Sequence, residues 1–144
     1  DLSDPATRLG QSPLRSPTLF NFFRPGYVPP NSPLGDQSIT APEFQITTET
    51  SVAGYINFMQ RTVSSNIGGL SGNYTGWLPL TANSQSLLDE LNIVLAAGQI
   101  PAATLATLKT ALDTIAITSP AGQNNRLYAA LTMVLAAPEY ITQK

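Results

Sequence analysis

The chain has 144 residues with seven Lys/Arg, nine Asp/Glu, no His and no Cys, for a formal charge of −2. This composition removes thiol and imidazole catalysis, disulfides and the usual zinc sites together, and seven scattered cations cannot neutralise a row of phosphates, which excludes nucleic acid as a partner. Only 11% of residues are charged, against about 25% in an ordinary soluble domain, so much of the exterior is neutral or covered by something else.

The opening, DLSDPATRLG, has no initiator Met, no charged n-region and no apolar h-region, and it reads as the start of a mature product or a fragment. Eight of the twelve prolines then fall in residues 1–42, at positions 5, 13, 17, 25, 29, 30, 33 and 42. Each fixes φ and pushes its predecessor towards extended geometry, which forbids a long helix or a central strand there. Leu14, Leu19, Phe20, Phe22, Phe23, Tyr27 and Val28 crowd into the same stretch, whereas Pro-rich linkers are poor in aromatics. Residues 1–47 are therefore expected to form an irregular arm packed along a core.

From residue 48 the period becomes helical. Val52, Tyr55, Ile56, Met59 and Val63 recur every three or four residues, which predicts a helix over 48–66 with Thr48 or Thr50 as its cap. The glycine-rich stretch after it is a loop, with Trp77 as its anchor. Asn83 or Ser84 opens a second helix over 84–97, on Leu87, Leu88, Leu91, Val94 and Leu95, closed by Gly98. Pro101 sits at the start of a third over 101–117, and Ser119-Pro120-Ala121-Gly122 separates it from a fourth over 124–137, which Pro138 ends. The expected fold is all-α: a small helical domain of four principal helices over 48–144, preceded by the Pro-rich arm.

Three stretches carry a family likeness: LGQSPLRSPTLFNFFRPGYVPP (9–30), ETSVAGYINFMQR (49–61) and NRLYAALTMVLAAPEY (125–140). Together they resemble the C-terminal part of the bacterial domain of unknown function 1800 family. The positions that match its pattern are Gly10, Gln11, Pro17 and the aromatics from Phe20 to Tyr27, then Arg126, Ala130, Leu135, Ala136, Pro138, Glu139 and Tyr140. Ala137 stands where the family usually has Ser, so no role can be given to that hydroxyl here. The resemblance implies a longer, mostly helical, exported protein without an established activity. It also implies that upstream helices of the parent would cover the apolar stripes.

The search for chemistry is short. A Ser–Lys pair would need Lys109 or Lys144, and neither has a motif around it. Of the carboxylates that could serve a glycosidase, Asp89-Glu90 sits in the first half of its helix, where negative charge suits the dipole, and reads as a solvated face. No Asp-x-Asp run or phosphate loop is present, so neither a metal nor a cofactor is expected.

Two constellations remain. Phe20, Asn21, Phe22, Phe23, Arg24 and Tyr27, with Trp77, could stack on sugar rings or an aromatic peptide; the plainer expectation is that these rings anchor the arm. Arg126, Glu139 and Tyr140 flank the last helix. The dipole opposes a cation near a helix start, so a carboxylate or a set of carbonyls must hold Arg126, and a structural ion pair is the plainer expectation beside a ligand-anchoring role.

The functional expectation is a structural or interaction module of a secreted or periplasmic bacterial protein. It would associate with copies of itself, with the remainder of its parent, or with a cell-surface protein or polysaccharide. The alternative is a non-catalytic or substrate-binding part of a secreted hydrolase or carbohydrate-binding protein. By default the segment is no enzyme, and no apolar run reaches the roughly 18 residues that cross a bilayer.

Overall fold

The computed structural model describes residues 1–141. They form two compact units, the first spanning Asp1–Phe58 and the second beginning at Met59. The architecture is all-α, without a strand among the described residues.

The first unit is built from turns. Prolines leave few backbone donors for regular structure, and the polar side chains close short loops instead. The Asp4 carboxylate accepts from the Ala6 amide and the Thr7 hydroxyl. The Ser32 hydroxyl accepts from the Gly35 amide at 3.0 Å and so caps α1 (Pro33–Asp36). A 3₁₀ turn follows at Pro42–Gln45. Two longer-range bonds tie the turns together: the Ala41 amide donates to the Tyr27 carbonyl at 2.8 Å, and the Arg24 amide to Gln45 Oε1 at 2.7 Å. Helix α2 (Glu49–Ser64) begins in this unit and ends in the next. Thr48 and Ser51 cap it reciprocally, each hydroxyl accepting the other residue's amide. Gly54 is buried on α2, and a β-carbon there would collide with the Pro5 carbonyl oxygen. Arg8 lies over the Phe58 ring, 5.5 Å from its centre.

The second unit is a packed helical core. Helix α3 (Ser84–Ala96) is capped by Asn83, whose side-chain oxygen accepts from the Gln85 and Ser86 amides. Its C-terminus closes through Ala97 and Gly98, both at positive φ. Helix α4 (Ala102–Asp113) packs against α3, and α5 (Pro120–Ala136) against both. The short α6 (Pro138–Ile141) follows. Leu87, Leu88, Leu91, Leu112, Leu127 and Val134 are wholly sequestered. Each such side chain stabilises the fold by about 1.5–3 kcal/mol. Of the predicted stripes, Val63, Leu87, Leu88 and Leu91 are buried, whereas Val52 and Val94 face outward.

Two boundaries differ from expectation. Helix α5 starts at Pro120, not near 124, because the Ser119 hydroxyl caps the Gly122 amide and proline suits the first helical position. Helix α4 stops at Asp113, and Ile115 lies in the connection that follows.

Candidate functional site

Turn chemistry shapes the surface of residues 9–28. The Arg15 amide donates to the Ser12 carbonyl at 3.2 Å, closing a turn with Pro13 and Leu14 at its tip. Proline suits the second position of such a turn, but the third needs positive φ and normally takes Gly or Asn. Here it is Leu14, at φ 59° and 102% exposed. A left-handed leucine costs roughly 1–2 kcal/mol, and its exposure gains nothing back. A second turn, closed by the Asn21 amide on the Thr18 carbonyl at 3.1 Å, holds Leu19 and Phe20 at its tip. They are 102% and 63% exposed. Asn21 follows at φ 64°, a conformation its side chain tolerates.

Behind these tips are two open hollows. One, of about 490 Å³, is lined by Leu9, Gln11, Pro13, Leu14, Asn21 and Phe22. The other, of about 460 Å³, is lined by Phe20, Arg24, Pro25, Gly26, Tyr27 and Val28. The candidate aromatics thus divide by burial. Phe22, Phe23 and Tyr27 are half-buried within the first unit, while Phe20 faces outward. Gly10, at φ 73°, allows the turn that brings the chain back beside Pro5. Pro17 lines a third hollow with Gly10, Arg15, Phe22 and Gln45, whereas Gln11 is exposed on the rim of the first.

Trp77 belongs to the second unit. It stacks on Tyr74 at 6.3 Å between ring centres, and Tyr74 meets Tyr128 edge-on at 5.8 Å. The Tyr74 hydroxyl donates to the Val63 carbonyl at 3.0 Å. Burial, and then the neighbouring Tyr128, push the Tyr74 phenol above its usual value.

Arg126 is the buried cation of the second unit, 8% exposed. The ion pair expected for it is not what holds it. Its guanidinium donates to the Thr81 carbonyl at 3.0 Å and the Ile115 carbonyl at 2.5 Å. These close the 3₁₀ turn Leu78–Ala82 and follow the C-terminus of α4, both places where carbonyls lack helical partners. Glu139 is not among the acceptors of Arg126. Glu139 instead accepts from the Thr104 hydroxyl at 3.1 Å, tying the α6 turn to α4. One buried atom on each, Arg126 Nε and Glu139 Oε2, has no partner. Pro138 begins α6, and Tyr140 is half-buried against the core.

The remaining polar links join helix ends. Asp113 accepts from the Ser84 hydroxyl at 2.7 Å and from Lys109 at 2.6 Å. Those two donors, Lys109 foremost, hold its carboxyl below the usual 3.8. The buried Asn92 side chain exchanges two hydrogen bonds with the Ile100 backbone, fixing the connection between α3 and α4. Among the described residues no three His, Cys, Asp or Glu side chains gather into a metal-sized group, and no helix is long and apolar enough to cross a membrane.

By sequence, Leu14 and Leu19 count in the apolar area that packs the arm, whereas both stand fully exposed at turn tips. A signal for Leu14 was available: Pro13-Leu14, closed by Arg15, places leucine where a turn of this kind wants glycine. The family model described as a protein of unknown function (DUF1800) matches residues 1–142. No curated protein and no solved structure matches the chain.

Proposed function

The chain belongs to the DUF1800 family of proteins of unknown function, and for it we propose a non-catalytic role: a protein-interaction module. The observation that carries this reading is the pair of turn tips, where Leu14 and Leu19 are each 102% exposed and Leu14 is also strained. Backbone strain combined with full exposure of a large apolar side chain is unfavourable for the chain alone, and a contact that covers the tip offsets it. The second unit supports the same reading: its polar residues, Arg126, Asn92, Ser84 and Asp113, are spent on joining helix ends. The partner is another copy or the remainder of a longer parent, and the setting is outside the bacterial cytoplasm, as the cysteine-free and lysine-poor composition favours.

Light scattering across a hundredfold dilution, with the chain alone and with the upstream region of its parent added, tests this. Association in either arm is expected. A monomer at every concentration that also ignores the upstream region rejects it.

A further inference from the structure

Among the described residues the six most exposed large hydrophobic side chains are Leu14 and Leu19 (102%), Leu70 (74%), Ile93 (67%), Phe20 (63%) and Val94 (54%). They fall in two stretches of opposite charge. Residues 5–35 hold Arg8, Arg15 and Arg24 and no acid, although Asp4 precedes them and Asp1 pairs with Arg15 at 3.6 Å across the exposed surface. Residues 62–108, between Arg61 and Lys109, hold Asp89 and Glu90 and no Lys or Arg.

Each set has a matching layout. In the first unit Arg15 directly follows Leu14, and Arg24 follows the Leu19-Phe20 tip by four residues. Both arginines are exposed. On α3, Asp89 and Glu90 lie one helical turn before Ile93 and Val94, so the acidic step and the apolar step share the outward side of the helix. The C-terminal end of the α3 dipole adds partial negative charge beside the same apolar step.

We infer that copies of this chain associate head to tail, the Leu14 and Leu19-Phe20 turn tips of one copy seating on the Ile93/Val94 side of α3 of the next, with Arg15 and Arg24 against Asp89 and Glu90. This rests on the module reading and names its partner. The two surfaces differ, so the contact is heterologous and builds a ring or an open filament instead of stopping at a two-fold dimer. Charge complementarity of this kind sets register and partner choice and weakens as salt screens it.

The test uses two full-length charge-swapped chains, Arg15→Glu/Arg24→Glu and Asp89→Lys/Glu90→Lys, with circular dichroism to establish that each folds. All four positions lie at the surface or half-exposed. Analytical ultracentrifugation of each variant alone should show association weakened about tenfold or more relative to the unchanged chain. Mixing the two should restore it, because each swapped surface then meets its opposite. A structural defect in either variant could not be repaired by mixing. The inference is overturned if each variant associates as the unchanged chain does, or if mixing restores nothing. It is also overturned, with the module reading intact, if the chain alone is monomeric yet binds its parent's upstream region. A monomer that instead sediments with phosphatidylglycerol vesicles through Arg15 and Arg24 replaces the second copy with a lipid surface.

Discussion

Pro5 and Gly54 are in backbone contact: the Pro5 carbonyl and the Ala6 peptide occupy the space where a side chain at position 54 of α2 would begin. The contact explains why α2 carries a glycine in its first half. Glycine costs about 1 kcal/mol there relative to alanine, and the close passage of the arm is what that cost permits.

Gly54→Ala should therefore destabilise the chain despite its better helix propensity. Overpacking against a backbone carbonyl costs about 1–3 kcal/mol, which exceeds the propensity gain. Thermal unfolding measures the balance. A higher midpoint in the variant would mean that residues 5–6 do not run over α2.

The helical half of the fold was legible from sequence because its apolar residues recur with helical period and two of its caps, Asn83 and Thr48, do what their residue types predict; Ser119, read as part of a break, caps α5 instead. What could not be read was where long side chains go. Arg126 looked like half of an ion pair because a cation near a helix start is opposed by the dipole and needs a carboxylate or carbonyls to hold it. Two carbonyls at the ends of other elements serve instead, and no local pattern encodes an arrangement spanning positions 81, 115 and 126. The arm was legible as irregular but not in its turns, since hydrogen bonds such as Ala41 to Tyr27 depend on the path of the chain.

Arg126→Met should lower stability by several kcal/mol. It leaves the Thr81 and Ile115 carbonyls without their donor, and each unsatisfied buried group costs about 1–3 kcal/mol. Arg126→Lys should recover part of the loss, because an ammonium can reach one carbonyl but lacks the planar fork that spans both. Urea unfolding of the two variants checks the order. Equal stability of Lys and Met would show that the fork geometry is irrelevant.

Asn92→Ala removes both bonds to the Ile100 backbone and leaves a buried amide and carbonyl unpaired. A loss of about 2–4 kcal/mol is expected. Hydrogen exchange should show the amide of Ile100 losing protection first. Unchanged protection there would place the closure of the α3–α4 connection elsewhere.

Asp113 gives the acid response a sign. Its donors favour the carboxylate in the folded chain, so its folded value lies below the usual 3.8. Its contribution is then fully present above that usual value and is lost as pH falls through it towards the lower folded value. Asp4 is lowered in the same way, first by the Thr7 hydroxyl and then by the Ala6 amide, and acts over the same window. Tyr74 has the opposite sense: raised by burial, its contribution is complete below pH 10 and is lost as pH climbs through the higher folded value. Asp113→Asn should flatten the acid limb of a stability–pH curve without touching the alkaline limb, and Tyr74→Phe should do the reverse. Parallel curves for Asp113→Asn and the unchanged chain would remove Asp113 from the account.

Leu14 separates folding from binding most directly. Asparagine tolerates the left-handed backbone that leucine resists, so Leu14→Asn relieves strain at φ 59° and removes a fully exposed apolar side chain. Nothing buried is lost, and the unfolding midpoint should stay level or rise, by no more than the equivalent of about 1 kcal/mol. Association should fall in the same variant, because the tip that a partner covers has become polar. The two readouts move in opposite directions only if the leucine is kept for contact. A residue kept for the fold would lower the midpoint when replaced, and that result, measured by calorimetry on dilute protein beside sedimentation at high concentration, would return the turn to a purely structural role.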